Sequence, residues 1–185
     1  MSNPPATSNP PLIGAFGRDE NFVPVTQLGI RATELVTLTG NNTTVAVPIF
    51  SVTGSVLINA IYGVVTTALG NNTAAYWRLN DGSNTSNITL NTGTTLTGAV
   101  AGATIVKKGL AAAALTLINA DQERVSEPTT LETIFFSPFV AQQITGSVAT
   151  NIEFVYTTSD TPTTGALTFI VGWIPLTPGS KVASI

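Results

Sequence analysis

Two segments near the C-terminus decide the fold class: NIEFVYT at 151–157 and ALTFIVGWI at 166–174. In both, large apolar side chains occupy every second position, namely Ile152, Phe154 and Tyr156 in the first and Leu167, Phe169, Val171 and Trp173 in the second. This period of two is typical of β-strands with one face in a core. The intervening TSDTP at 158–162 is typical of a loop. The two segments therefore predict consecutive strands.

Shorter strand-like runs continue this pattern towards the N-terminus, with Gly, Asn and Asp between them. Strands are predicted at 34–39, 43–50, 55–67, 73–79, 87–90, 104–108, 115–119 and 132–136. Many short strands with frequent turns indicate an all-β fold, and we predict an antiparallel β-sandwich domain over residues 22–185.

Three local features give more specific expectations. Gly40-Asn41-Asn42 is predicted to be a hairpin turn that pairs the strands on either side. Pro175 and Pro178 are predicted to end the last strand and to place it at a sheet edge. Gly109–Ala114 is interpreted as a loop that runs into a strand, with a short helix as the alternative because alanine favours helices.

The composition argues against several classes of function. The chain of 185 residues has no His and no Cys, is 9% charged and 43% hydrophobic, and carries a net charge of −3. Disulfides, thiolate metal sites and His-dependent catalysis are therefore excluded. The seven Lys and Arg residues form no basic stripe, so we expect no nucleic-acid partner. No apolar run is long enough to span a membrane, so we expect no membrane partner.

The acidic residues and the tryptophans are the remaining candidates for chemistry. Asp121, Gln122, Glu123 and Glu127 do not match the spacing of a calcium loop, and we interpret them as a solvated loop. Glu132 and Glu153 are candidates for a glycosidase pair, but outward-facing strand positions are the simpler interpretation. Trp77 beside Tyr76, and Trp173, are candidates for sugar stacking or, more simply, for the core. We predict no enzyme activity, no metal and no cofactor.

The first 21 residues differ from the rest of the chain. Pro4, Pro5, Pro10 and Pro11 favour extended backbone, and the apolar segment LIGAF follows at 12–16. A floppy tail is one interpretation. The other is an extended arm that contacts a neighbouring subunit or a partner surface. The predicted contact residues of this arm are Pro4, Pro5, Pro10, Pro11, Leu12, Ile13 and Phe16.

The low charge also bears on assembly, because about a quarter of the residues of a soluble monomer are usually charged. We therefore expect a homotrimer, with a monomer coated by Thr, Asn and Ser as the alternative. The N-terminus has neither the charged nor the apolar region of a secretory signal, so we expect synthesis in the cytoplasm.

The C-terminal part resembles a known group of proteins. YTTSDTPTTG at 156–165, followed by the strand at 166–174 and PLTPG at 175–179, is similar to the ending of small β-sandwich proteins encoded near the major capsid gene of tailed bacteriophages. The opening NPPLIGAFGRDEN at 9–21 resembles their extended arms. The resemblance implies a jelly-roll-like trimer that decorates or cements the capsid, with the major capsid protein as partner and the virion as location. A head-fibre protein that binds glycans and a carbohydrate-binding module are the alternatives.

Overall fold

A computed structural model describes residues 30–91, 94–107, 112–118, 138–143, 149–159 and 163–185. Within these ranges the chain forms eleven strands and no helix. The strands are β1 (Ile30–Thr37), β2 (Thr44–Thr53), β3 (Ser55–Gly70), β4 (Asn72–Asn80), β5 (Thr85–Asn87), β6 (Thr104–Val106), β7 (Thr116–Ile118), β8 (Phe139–Gln142), β9 (Thr150–Thr158), β10 (Thr164–Pro175) and β11 (Lys181–Ser184).

The strands form two antiparallel sheets that pack as a sandwich. Sheet I has the order β1-β10-β3-β6-β7, with β8 also paired to β3, and sheet II has the order β11-β2-β9-β4-β5. Early strands pair with late ones, β1 with β10 and β2 with β9. Two antiparallel sheets packed face to face are an antiparallel β-sandwich, so this predicted fold class is confirmed.

The core lies between the inner faces of the sheets, and aromatic residues form its centre. The Phe169 ring of sheet I lies 4.8 Å from the Phe154 ring of sheet II, and the Trp77 ring of sheet II meets Phe169 edge-on at 6.4 Å. Such tilted and T-shaped pairs suit the aromatic quadrupole and add to the burial of the rings. The alternation noted at 151–157 and 166–174 therefore supplies the contacts that join the two sheets.

The predicted hairpin at Gly40-Asn41-Asn42 is wrong, because β1 and β2 lie in different sheets. Gly40 and Asn42 both have positive φ, of 113° and 47°. They thus provide the sharp change of direction that a turn sequence implies. Before the crossover, the Tyr156 hydroxyl accepts from Thr39 N and donates to Thr39 O, both at 2.9 Å. After it, the Thr158 hydroxyl accepts from Thr43 N at 2.9 Å and donates to Thr43 O at 3.1 Å. A turn motif reverses the direction of the chain but does not determine which strands the two flanking segments pair with.

The predicted edge position of the strand at 166–174 is also wrong. β10 lies inside sheet I, hydrogen-bonded to β1 on one side and β3 on the other. Pro175 is the last residue of β10, where its missing N–H removes no interior ladder bond. The proline ends the strand as predicted, but it does not place the strand at an edge.

Several other elements differ from the expectation. β8 and β11 were not predicted, and the strand predicted at 87–90 is instead β5 at Thr85–Asn87, followed by bends. The described part of 109–114, Ala112–Ala114, is turn and irregular backbone that leads into β7, as expected of a loop. The strand predicted at 132–136 lies outside the described residues, as does the arm at 1–21.

Candidate interaction surface

The arm residues predicted to make contacts, Pro4, Pro5, Pro10, Pro11, Leu12, Ile13 and Phe16, lie outside the described residues. So do Asp121, Gln122, Glu123 and Glu127, and also Glu132. Of the residues considered for catalysis or ligand binding, the structure therefore describes Glu153, Tyr76, Trp77 and Trp173.

Both tryptophans lie in the core, as their simpler interpretation predicted. Trp77 is 0% exposed and Trp173 is 6% exposed. Neither indole offers a free face for a sugar ring, because the faces are covered by core side chains. The sugar-stacking hypothesis is left with Tyr76, which lies partly exposed on the outer side of sheet II.

Glu153 lies on the outward side of β9, as predicted, but neighbouring side chains bury it there. Only 6% of it is exposed, and its Oε2 accepts a hydrogen bond from Arg78 Nε at 2.6 Å. Its Oε1 accepts a second from Asn80 Nδ2 at 2.8 Å. β9 lies between β2 and β4, so the side chains of the flanking strands cover it. A carboxylate with both oxygens engaged in this way is a structural ion pair rather than a free catalytic acid.

Glu153 belongs to a polar outer surface on sheet II, which we call the polar face. The outward side chains of β2, β9, β4 and β11 form this face and include Thr44, Ala46, Pro48, Ser51, Asn151, Glu153, Val155, Thr157, Tyr76, Arg78, Asn80 and Lys181. It carries charges of both signs and several amides and hydroxyls. It has the composition of a water-facing sheet surface.

The outer surface of sheet I is different, and we call it the apolar face. Its outward positions carry the apolar side chains Leu35 on β1, Ile170 and Ile174 on β10, Leu57, Tyr62 and Val64 on β3, Val106 on β6 and Val140 on β8, with Thr33, Thr168 and Thr104 among them. The strand register makes these side chains neighbours. Ile170 lies opposite Tyr62, and Tyr62 lies opposite Val106. Leu57 lies between Ile174 and Val140.

The apolar face is open and almost without charge. Leu35 is 61% exposed and Val140 is 54% exposed, while the residues between them are partly exposed. Arg31 is the one charged residue at the outward positions of the described strands of sheet I. An exposed apolar patch of this kind usually marks a site of protein–protein contact rather than a surface that faces water. In the sequence, the signal for the apolar face is the near-continuous apolar character of residues 55–67 and 166–174. Such runs are typical of strands that are covered on both faces of the sheet.

A shallow cleft of about 130 Å³ lies at the end of sheet II and is lined by Leu79, Asp81, Asn84, Ser86, Gln142 and Thr150. Its one charged group, Asp81, accepts hydrogen bonds from Ser83 N at 2.8 Å and from Asn84 N at 2.6 Å. These backbone donors lower the pKa of the Asp81 carboxyl. The carboxylate is therefore engaged in shaping the turn between β4 and β5 and is a weak candidate for ligand binding.

Within the described ranges there is no group of three or more His, Cys, Asp or Glu side chains arranged to hold a metal ion. In the same part of the chain, no helix has the length and apolar character needed to cross a membrane. Comparison of the chain with family models, with curated proteins and with solved structures found no match. The apolar face is thus the strongest candidate for a functional site.

Proposed function

We propose that this protein is a structural virion protein, which binds the outer surface of a phage capsid and stabilises it as a cement or decoration protein. Its partners are further copies of itself, as a homotrimer, and the major capsid protein. The observation that carries the proposal is the apolar face, a sheet surface with one charge and large exposed side chains.

Such a surface suits attachment to a repeated protein lattice. Burial of a Leu, Ile or Val side chain contributes about 1.5–3 kcal/mol, so a few residues of the apolar face provide useful affinity. Symmetric copies bind a symmetric lattice through several equivalent contacts, and each additional contact raises the avidity without strengthening the individual ones. The resemblance at 156–179 supports the same conclusion from the sequence side.

The test is co-purification with assembled particles. The chain is expressed together with the major capsid protein of the phage that encodes it, particles are isolated on a density gradient, and bound copies are counted by quantitative mass spectrometry. We expect stoichiometric copies for the wild type and a loss of at least about tenfold for Leu35→Glu/Val140→Glu, because two exposed apolar contacts become charged. Both positions are more than half exposed, so the fold is expected to survive.

The matched control is Thr44→Glu/Ala46→Glu, which places two carboxylates at exposed positions of the polar face. This variant should bind particles like the wild type. Light scattering on the purified protein should give three times the mass of the monomer. The absence of stoichiometric copies on particles, or equal loss of binding in both double variants, would contradict the proposal.

A further inference from the structure

The apolar face contains a shallow groove that crosses two strands. The strand register places six residues around it: Gly172 and Ala60 on the floor, Ile174 and Leu57 along one side, and Ile170 and Tyr62 along the other. Its two sides are about 14 Å apart on β10, because Ile170 and Ile174 are four residues apart there. This width admits one extended chain with its side chains.

We propose that residues 22–28 of the same chain, with the sequence FVPVTQL, fold back across this groove and cover it. We call these residues the covering segment. They lie outside the described residues, whereas the whole groove lies within them.

The groove opens at the point where the chain enters the fold. Ile30 begins β1, which is an edge strand of sheet I. Its neighbour Arg31 lies opposite Gly172, which in turn lies opposite Ala60. Gly29 separates the covering segment from β1, and glycine permits the sharp turn that folding back requires.

The covering segment is long enough to reach across the groove. Val25 lies five residues before Ile30, and five extended residues span about 17 Å. Ala60 on β3 lies two strand spacings from β1, which is about 10 Å. A layer packed on a sheet lies about 10 Å above it, so the path from Ile30 to a position over Ala60 is about 14 Å.

The apolar residues of the covering segment have a spacing that suits the sheet. Pro24 favours polyproline-type backbone, which has three residues per turn. Phe22, Val25 and Leu28 then share one side of the segment, and consecutive members lie about 9 Å apart. This distance is close to two strand spacings, so Leu28 at the β1 end of the groove places Val25 over β3.

The short connection favours the chain's own groove over the groove of a second copy. A segment tethered by a few residues is present at its own groove at an effective concentration of about 1 mM. At a protein concentration of about 1 μM, a second copy therefore competes at a disadvantage of about a thousandfold. The apolar residues 12–16 need a longer loop to reach the same place, which costs more entropy.

The covered groove narrows the surface that remains for a partner. Leu35 and Val140 stay exposed at the two margins of the apolar face. In the proposed function, on which this step alone rests, these margins are the capsid contact.

The absence of cysteine from the chain allows a direct test in the full-length protein. Val25→Cys/Ala60→Cys is oxidised under mild conditions at micromolar concentration. We expect an intrachain disulfide, detected by intact mass and by migration in a non-reducing gel. It should form at least about tenfold faster than the disulfide of the control, because docking holds the two thiols together.

The matched control is Val25→Cys/Thr33→Cys, which uses the same first cysteine. Thr33 lies three residues from Ile30 along β1, a distance of about 10 Å that matches the distance to Ala60. It is also more exposed than Ala60, so accessibility alone works against the expected result.

A second measurement adds a third substitution to Val25→Cys/Ala60→Cys. Phe22→Ser should slow the formation of the disulfide by up to about tenfold, because Phe22 shares the side of Val25 that faces the groove. Val23→Ser should leave the rate nearly unchanged, because Val23 lies on another side of the segment.

Equal rates at Ala60 and Thr33 would overturn the inference. A faster reaction at Thr33 would do so as well, because the segment would then lie alongside β1. A disulfide that forms only between chains, at a rate that rises with protein concentration, would show docking on a second copy and would also refute the proposal.

The outcome is separable from that of the proposed function. The Ala60 disulfide in a protein that fails to bind particles would refute the capsid role and leave the covered groove intact, while particle binding without this disulfide would do the reverse.

Discussion

Phe169 joins the two sheets, and its replacement by alanine tests whether the sandwich core is packed as described. The side chain is 0% exposed, and its ring lies against Phe154 and Trp77 of the opposite sheet. Phe→Ala in a core costs about 3–5 kcal/mol, according to how far the surroundings relax into the cavity. Relaxation is restricted here because Gly63, directly opposite on β3, has no side chain to move into the space. We therefore expect a loss of about 4–5 kcal/mol.

The measurement is equilibrium unfolding in denaturant, followed by the fluorescence of the two tryptophans, both of which are buried. Protein concentration is held constant, because association contributes to apparent stability. The melting temperature should fall by about 10 °C for a chain of this length. Leu35→Ala is the control, and its exposed position predicts a change within about 0.5 kcal/mol.

Gly63 gives the same prediction a second readout. A Cβ at this position would lie 3.0 Å from the Phe169 ring and 3.0 Å from Ile105 Cγ1. Gly63→Ala should therefore cost about 1–3 kcal/mol through overpacking. In the Phe169→Ala background the new methyl enters the cavity, and its cost should fall by about 1 kcal/mol. Strict additivity of the two substitutions, or a loss below about 2 kcal/mol for Phe169→Ala, would refute the described packing.

Two further predictions concern charged groups that the fold buries. Glu153→Ala should lower the free energy of unfolding by about 2–3 kcal/mol, less than for a fully buried pair because the Arg78 side chain keeps 23% exposure. A double-mutant cycle with Arg78→Ala should give a coupling of about 1–2 kcal/mol, and a coupling near zero would mean that the two side chains do not interact in solution. Burial lowers the pKa of Lys107 below its ordinary 10.5, so between the two pKa values the unfolded chain binds more protons than the native one. The free energy of unfolding should therefore rise as the pH is raised through that window towards 10.5. Lys107→Met should remove this rise, as measured by urea unfolding across the same pH range. An identical pH slope in the two proteins would contradict the prediction.

Strand positions were largely predictable because they depend on local pattern. The alternation at 151–157 and 166–174 corresponds to β9 and β10, and the predicted turn at 40–42 contains two residues with positive φ, Gly40 and Asn42. β8 and β11 were missed because each is only four residues long, which is too short for a period of two to be distinguished from chance.

The pairing of strands was not predictable from the same pattern. The turn at Gly40-Asn41-Asn42 predicts a reversal, and the structure uses it to cross between sheets. Glu153 faces outward from β9 as expected, but the pattern does not reveal that it is buried there, because Arg78 and Asn80 of β4 lie over it. In both cases the deciding contacts come from strands that are distant in the sequence.

The amino-acid pattern thus accounts for the all-β class, the approximate strands and the sparse chemistry, since each of these depends on residue types within a few positions of one another. The apolar face depends on more than that. Leu35, Ile170, Tyr62 and Val140 come from four strands, and only the order β1-β10-β3 with β8 beside it makes them one surface. A period of two assigns each residue to one side of its strand. The strand order determines which of these sides lie next to one another and form a continuous surface, and that order depends on long-range packing in the core.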